Sequence, residues 1–171
     1  RARAAASPRS VAVAAPGRRD LDYAGLEALC EATARGLHGL GVEAGDRVAL
    51  IVPDGPEAAS AFVSVAACAA CGPLNPGLAS AEIARQLDEL RPRAILLPED
   101  AAAGTVEVAR ASGAVVVGLA ADAAAPAGVF TLGAVWRSKG EPEQDAEFEQ
   151  GLAIARRAMK TYRNALAELA K

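Results

Sequence analysis

The chain has 171 residues and a formal net charge of −3, with 52% hydrophobic and 23% charged residues. This composition excludes a chain that is disordered throughout, and the acidic balance argues against a nucleic-acid-binding protein that relies on a basic face. Only 4% of the residues are aromatic, so Ala, Val, Leu and Ile have to supply the core.

The first predicted elements are a strand, a helix and a second strand. Residues 10–15 (SVAVAA) favour a short strand, which the turn pair Pro16-Gly17 closes. Leucines then recur at helical spacing after Asp22, the predicted N-cap, up to the glycines at 39 and 41. Residues 45–53 (GDRVALIVP) contain a continuous apolar run, which is typical of a strand in a parallel sheet covered by helices.

The same alternation continues to residue 120. The predicted elements are a helix over 54–72 that starts near Pro56, a helix over 78–92 capped by Ser80, a strand over 93–98, a weaker helix over 101–113 and a strand over 114–120. Strands that alternate with helices predict an α/β fold, a parallel sheet with covering helices.

The composition changes in the last quarter of the chain. An Ala/Pro/Gly-rich stretch over 120–128 is predicted to be a linker, and we divide the chain into a lobe over 1–132 and a tail over 133–171. Apolar residues in the tail are spaced four and three apart, which predicts an amphipathic helix. They are Phe148, Leu152, Ala155, Met159, Tyr162, Leu166 and Leu169. This stripe could pack on the chain's own lobe, or it could serve self-association or the binding of a partner helix.

Four short motifs occur in order along the chain. They are LDYAGL (21–26), GVEAGDRVAL (41–50), PDGPEAASAF (53–62) and PLNPGLASAEI (73–83). Together they resemble the amino-terminal part of the adenylate-forming (AMP-dependent) acyl-CoA synthetases, the acid–CoA ligase superfamily. The resemblance implies that the fold is the amino-terminal lobe of that superfamily, and that Pro73 to Pro76 redirect the chain between a helix that packs on the sheet and the next helix.

The resemblance also implies a reaction. In the superfamily a carboxylate and ATP form an acyl-adenylate, and the acyl group then passes to CoA, with Mg, ATP and CoA as cofactors. Family members carry a Gly/Ser/Thr-rich phosphate loop ending in Pro-Lys-Gly, an acidic residue for the ribose and a lysine in a mobile carboxy-terminal domain. This sequence lacks those motifs, and SKGEP (138–142) shares only Lys-Gly with the end of the phosphate loop, without the preceding Gly/Ser/Thr run. We therefore expect an inactive fragment with no cofactor of its own.

The cysteines and the single histidine could suggest a metal or redox site. Cys68 and Cys71 have the spacing of such a pair, but Cys30 and His38 are the only further candidates for a zinc ligand set. We predict that Cys68 and Cys71 are small core residues of an alanine-rich helix and that His38 occupies a helix end. Three cysteines cannot all pair within one chain, so we expect a reducing, cytoplasmic compartment.

The carboxylates Asp54, Glu57, Asp88 and Glu89 fall where a turn and a solvated helix face are expected, so no catalytic role is assigned to them. We accordingly predict no catalytic, cofactor-binding or metal-binding residue and no membrane span.

A different class of function remains open. In that alternative the chain is a non-catalytic binding or regulatory module whose helix at 148–169 engages a partner.

Overall fold

A computed structural model describes residues 2–136. Its helices are α1 (Ala2–Ala6), α2 (Tyr23–Gly39), α3 (Pro56–Ala66), α4 (Ser80–Leu90) and α5 (Ala103–Ala111). Its strands are β1 (Val11–Val13), β2 (Leu21–Asp22), β3 (Arg47–Leu50), β4 (Ala70–Pro73), β5 (Ala94–Pro98), β6 (Val115–Ala121) and β7 (Phe130–Trp136). None of these helices combines the length and the hydropathy that crossing a membrane requires.

The main sheet has five strands in the order β4-β3-β5-β6-β7. The first four are parallel, and β7 runs antiparallel to β6. This confirms the predicted α/β fold with a mostly parallel sheet. Two expectations were wrong. From the sequence we expected the sheet over residues 11–120 to have a poorly covered edge, but β7 pairs with β6. We also expected the first strand to belong to the sheet, but β1 pairs with β2 in a separate antiparallel ribbon.

Helices cover both faces of the sheet, as its apolar strands predict. On β5, Leu96 belongs to a core cluster that contains residues of α2 and α3, whereas Ile95 and Leu97 belong to a second cluster that contains residues of α4 and α5. All three side chains are completely buried. Burial of a side chain of this size stabilises the fold by about 1.5–3 kcal/mol, so the central strands contribute much of the lobe's stability.

The helix α2 begins after Asp22, the N-cap that the sequence predicted. The Asp22 carboxylate accepts a hydrogen bond from the Gly25 amide at 2.7 Å, and this satisfies one of the free amides of the first helical turn. The start of α4 differs by one residue, because Ala79 occupies the N-cap and the Glu82 carboxylate accepts from its amide at 3.2 Å. Ser80 is therefore the first helical residue and not the cap.

The predicted helix over 54–72 was too long. The helix α3 ends at Ala66, and Ala70–Pro73 forms β4, which pairs with β3. Small residues tolerate both conformations, and pairing with the open edge of β3 satisfies backbone groups that a longer helix would leave unpaired there. Gly72 suits the strand because a Cβ at this position would lie 2.7 Å from a methyl carbon of Leu90. Cys68 therefore lies in the turn after α3 and Cys71 on an edge strand, so the prediction that both lie in a helix was wrong.

The stretch predicted to be a linker is packed into the lobe. Ala125 and Ala127 are buried, and the Ala127 amide donates a hydrogen bond to the Arg19 carbonyl at 2.8 Å. The sheet then continues through β7 to Trp136, past residue 132, where we placed the end of the lobe. That boundary stays a prediction, and the apolar stripe from Phe148 to Leu169 lies outside the described residues.

Gly128 offers a test of this packing. It has a φ of +83°, and a Cβ there would lie 2.8 Å from the Pro56 carbonyl oxygen. We expect Gly128→Ala to lower the free energy of unfolding by about 2–3 kcal/mol, because left-handed strain and a backbone clash add. Gly113→Ala is the matched control, since Gly113 has a φ of +80° but open space around it. Equal losses in urea unfolding of the two variants would contradict the close packing at Gly128.

Candidate functional site

The order of the strands creates a crevice at the carboxyl edge of the sheet. From β3 the chain passes through α3 to β4 on one side, and from β5 it passes through α5 to β6 on the opposite side. The connections after the neighbouring strands β3 and β5 therefore diverge at this edge. Ligands of open α/β sheets bind where the connections diverge in this way, so the carboxyl edge is the candidate site.

Two clefts occupy this edge, one on each side of the loop after β3. The β5-side cleft has a volume of about 420 Å³ and is lined by residues that follow β3 and β5 and by the end of β6. The β4-side cleft has a volume of about 410 Å³ and is lined by Phe62, Leu74 and Asn75, among others. Asp54 lines both clefts and is exposed, so it stands on the wall between them.

The Pro-Leu-Asn-Pro segment shapes the β4-side cleft. The Leu74 amide donates to the Leu50 carbonyl at 2.9 Å, which extends the pairing with β3 by one bond. The Asn75 side chain then accepts from the Gly77 amide at 2.8 Å, an Asx turn that leads the chain towards α4. Pro73 and Pro76 disfavour a helical conformation at the residue before each of them. The segment therefore ends β4 and turns the chain.

An ion pair organises the other cleft. An Arg18 guanidinium nitrogen lies 2.7 Å from the Glu57 carboxylate, and both side chains are largely buried, with 20% and 16% exposure. The second terminal nitrogen of Arg18 lies 2.9–3.2 Å from three carbonyl oxygens of residues 122–126. The Gly128 amide donates to Glu57 at 3.3 Å, and the Ser60 hydroxyl donates to the Gly128 carbonyl. We call this arrangement the Arg18 clamp.

A second carboxylate at this edge, that of Glu99, hydrogen-bonds to the backbone of β7. Glu99 accepts a hydrogen bond from the Ala134 amide at 3.1 Å, next to the register shift between β6 and β7. Its side chain crosses Gly118 and Gly133, because Cβ atoms at those positions would lie 2.8 Å and 1.7 Å from Glu99 atoms. Glycine at both positions leaves the space through which Glu99 reaches the bulged strand.

The described part of this edge does not fit a nucleotide triphosphate. The exposed carboxylates Asp54, Glu99 and Asp100 line the β5-side cleft, and the nearby Arg18 already binds Glu57 and backbone carbonyls. Phosphate sites are built from backbone amides, hydroxyls and free cations, and carboxylates repel a polyphosphate. Within residues 2–136, no group of three or more His, Cys, Asp or Glu side chains is placed to hold a metal ion.

The structure separates the carboxylates that the sequence analysis considered. Asp54 and Glu57 line the same cleft, and Glu57 is held in the Arg18 clamp and is not on a solvated face. Asp88 and Glu89 lie on the exposed face of α4, where Glu89 forms an exposed ion pair with Arg85 at 3.6 Å. His38 is exposed in the last turn of α2. The assignment of no catalytic residue stays a prediction.

The cysteines lie near one another and are all half-buried and unpaired. The Ser64 hydroxyl lies 3.5 Å from the Cys30 sulfur, and the Cys68 thiol donates to the Val65 carbonyl at 3.4 Å. Burial raises the pKa of Cys71 to about 11, with a smaller contribution from Cys68. Burial also raises the pKa of Cys68, with Cys30 adding to the effect. Thiols protonated at neutral pH are weak nucleophiles and weak metal ligands, so the geometry favours a packing role.

Sequence reasoning missed Arg18, Glu99 and Gly128. Arg18 and its carbonyl partners are more than 100 residues apart in the chain, and no local pattern joins them. The one available signal was a pair of glycines, Gly118 and Gly133, in segments that are otherwise apolar. Glycine inside a strand indicates a bulge or a close approach, and Glu99 makes that approach.

Comparisons with known proteins identify the same architecture. A family model described as "AMP-binding enzyme" matches residues 1–153. Apo MatB from Rhodopseudomonas palustris is 24% identical, with a TM-score of 0.59, over 73% of this chain and 27% of MatB. A fatty acyl CoA synthetase from Mycobacterium tuberculosis is 31% identical, with a TM-score of 0.54, over 63% of this chain and 21% of the synthetase.

A third structure is the O-succinylbenzoate Coenzyme A synthetase MenE from Bacillus subtilis in complex with AMP. It is 21% identical, with a TM-score of 0.57, over 62% of this chain and 28% of MenE. The matches therefore span about a quarter of the length of these proteins. The fold is that of the amino-terminal lobe of acyl-CoA synthetases.

The Arg18 clamp predicts a large loss of stability on truncation. We expect Arg18→Ala to lower the free energy of unfolding by about 2 kcal/mol, because Glu57 and three carbonyls lose a largely buried partner. Arg35→Ala is the control, since Arg35 and Glu31 form an exposed pair at 3.7 Å worth at most about 0.5 kcal/mol. Urea unfolding measures both, and equal effects would show that the clamp contributes no more than a surface pair.

The raised pKa of Cys71 predicts slow alkylation with a steep pH dependence. At pH 8 we expect iodoacetamide to modify Cys71 on the order of 100-fold more slowly than the same residue in the urea-unfolded chain, because only the thiolate reacts. The rate should climb as the pH rises towards a pKa of about 11 and then level off. Mass spectrometry of the modified peptide gives the rate. A rate at pH 8 equal to that of the unfolded chain would show that Cys71 is not protected.

Proposed function

Because the chain belongs to the family of AMP-binding enzymes, we propose that it is the amino-terminal part of an acid–CoA ligase and that it is inactive on its own. The observation that carries the proposal is the family match over residues 1–153 in a sequence without the phosphate loop of the superfamily. The proposed reaction of the complete enzyme is the adenylation of a carboxylic acid by ATP, followed by transfer of the acyl group to CoA.

The geometry of the lobe supports a structural role within such an enzyme. The two clefts at the carboxyl edge present apolar walls and exposed carboxylates, and Asp54 stands between them. Attack of a carboxylate on ATP needs cations and amides around the phosphates to stabilise the charge that develops. In this proposal those groups come from parts of the enzyme beyond the lobe, and the lobe provides a rigid surface that supports them.

A second proposed function is a non-catalytic binding or regulatory module. The observation that favours it is the apolar stripe at 148–169, which would engage a partner helix. This segment lies outside the described residues, so the proposal depends on the sequence pattern alone. In both proposals the protein acts in the cytoplasm, because its cysteines at 30, 68 and 71 are unpaired, as a reducing compartment favours.

The first proposal predicts that the chain forms no acyl-adenylate. We expect no exchange of labelled pyrophosphate into ATP above the protein-free background with a panel of short, long and aromatic carboxylic acids, because the phosphate-binding residues are missing. An intact acyl-CoA synthetase assayed in parallel is the positive control, and circular dichroism verifies that the chain is folded. Exchange that depends on the chain and on one of the acids would contradict the proposal.

A further inference from the structure

An apolar groove runs between α2 and α3 on the side of these helices away from the sheet. It has a volume of about 240 Å³, and its walls include Leu26 and Cys30 of α2 and Val63 of α3, with α1 at one end. Val63 is 44% exposed. It is a large apolar side chain on a solvent-facing helix, so an apolar occupant would bury it favourably.

The rim of the groove is acidic on the α2 side. Glu27 and Glu31 lie one helical turn apart, and both line the groove. Glu31 pairs weakly with Arg35 at 3.7 Å, whereas the half-buried Glu27 carboxylate forms no hydrogen bond or ion pair with any residue of 2–136, including Arg3 on the same rim. A half-buried carboxylate without a partner beside an apolar groove is suited to an occupant that is apolar on one face and basic at its flank.

We propose that residues 148–169 of this chain occupy the groove as an amphipathic helix, with Arg156 and Arg163 beside the acidic rim. Each arginine directly follows a residue of the apolar stripe, Ala155 and Tyr162 respectively, and so flanks the stripe on a helix. The proposed arrangement places Leu152 and Met159 against the apolar wall that includes Leu26 and Val63.

The connecting segment is long enough for this contact. Eleven residues, 137–147, separate Trp136 from Phe148. At the maximum extension of a polypeptide they span about 40 Å, which exceeds the distance across most of a lobe whose radius of gyration is about 14 Å. The groove is therefore within reach of the tail from the end of β7.

The charges beside the stripe favour the groove over a parallel pair of tails. In heptad numbering, Glu149, Arg156 and Arg163 occupy e positions, and the g positions hold the uncharged residues Gly151, Ala158 and Ala165. A parallel coiled coil would therefore leave both arginines without acidic partners. Glu27 and Glu31 supply the missing negative charge.

The test uses Cys30 as a reporter, because its half-buried thiol lines the groove. In the full chain, we expect the double replacement Leu152→Asp with Met159→Asp to raise the rate at which iodoacetamide modifies Cys30 about tenfold. The reason is that this rate follows the fraction of molecules in which the tail is not docked. Val63→Asp on the groove wall should have the same effect. Cys71 in the same samples is the internal control, and Val11→Asp, at a valine that is 54% exposed and outside the groove, is the control variant.

A charge exchange separates docking from a general loss of stability. Arg156→Glu with Arg163→Glu should raise the Cys30 rate several-fold, and Glu27→Arg added to that chain should return it towards the original value, because the pair is restored with reversed sign. A partly unfolded variant would not regain protection from a second charge reversal. Sedimentation at several concentrations should give a monomer for the original chain.

Three results would overturn the proposal. The first is a Cys30 rate that does not change in any tail variant. The second is additive effects of the arginine and Glu27 replacements, with no rescue. The third is a dimer in the original chain that Leu152→Asp with Met159→Asp converts to a monomer, which would assign the stripe to a contact between copies.

Discussion

The ion pair between Arg18 and Glu57 connects three segments that are far apart in the sequence. Arg18 lies in the loop between β1 and β2, Glu57 lies in the first turn of α3, and the carbonyls that Arg18 contacts belong to the loop between β6 and β7. A largely buried guanidinium needs all of these partners, so each segment holds the others in place. The path from β6 into β7, and with it the pairing of β7 with β6, depends on this contact.

The clamp also helps to explain why the carboxyl edge is negatively charged. Arg18 is bound to Glu57 and to backbone carbonyls, and the exposed carboxylates Asp54, Glu99 and Asp100 give the edge a negative charge. An edge at which connections diverge is a ligand site in many α/β proteins, but a site also requires groups that match its ligand. In this lobe the clefts lie where ligands of such sheets bind, but they lack the groups that bind phosphate. We therefore propose that the lobe supports phosphate-binding residues located elsewhere in a ligase.

The two helices α2 and α3 have different surroundings on their two sides. Towards the sheet they bury Leu29, Leu37 and Val65 completely or almost so, whereas Val63 in the groove between them remains exposed. Glu27 and Glu31 add negative charge beside that exposed surface. The basic, amphipathic pattern at the end of the chain complements it in both hydrophobicity and charge. The proposed contact therefore relies on complementary hydrophobicity and charge.

Most element types could be predicted from the sequence because their causes are local. Asp22 caps α2 through a bond to a residue three positions away, and Ile83 and Leu87 mark the buried side of α4 by their spacing alone. The continuous apolar runs of β3, β5 and β6 predicted a sheet that is covered on both faces, as the two core clusters confirm. The four motifs likewise identified the family from residues that lie within short stretches of chain.

The remaining features depended on contacts between distant residues, and only the tertiary structure decided them. The run from Ala67 to Pro73 is compatible with helix or strand, and the open backbone edge of β3 makes Ala70–Pro73 a strand. The stretch over 120–128 has the composition of a linker, but Arg18 and Glu57 bind it to α3. Glu99 passes over two glycines to hold β7. In each case the deciding partner lies tens of residues away, where the periodicity of the local sequence carries no information about it.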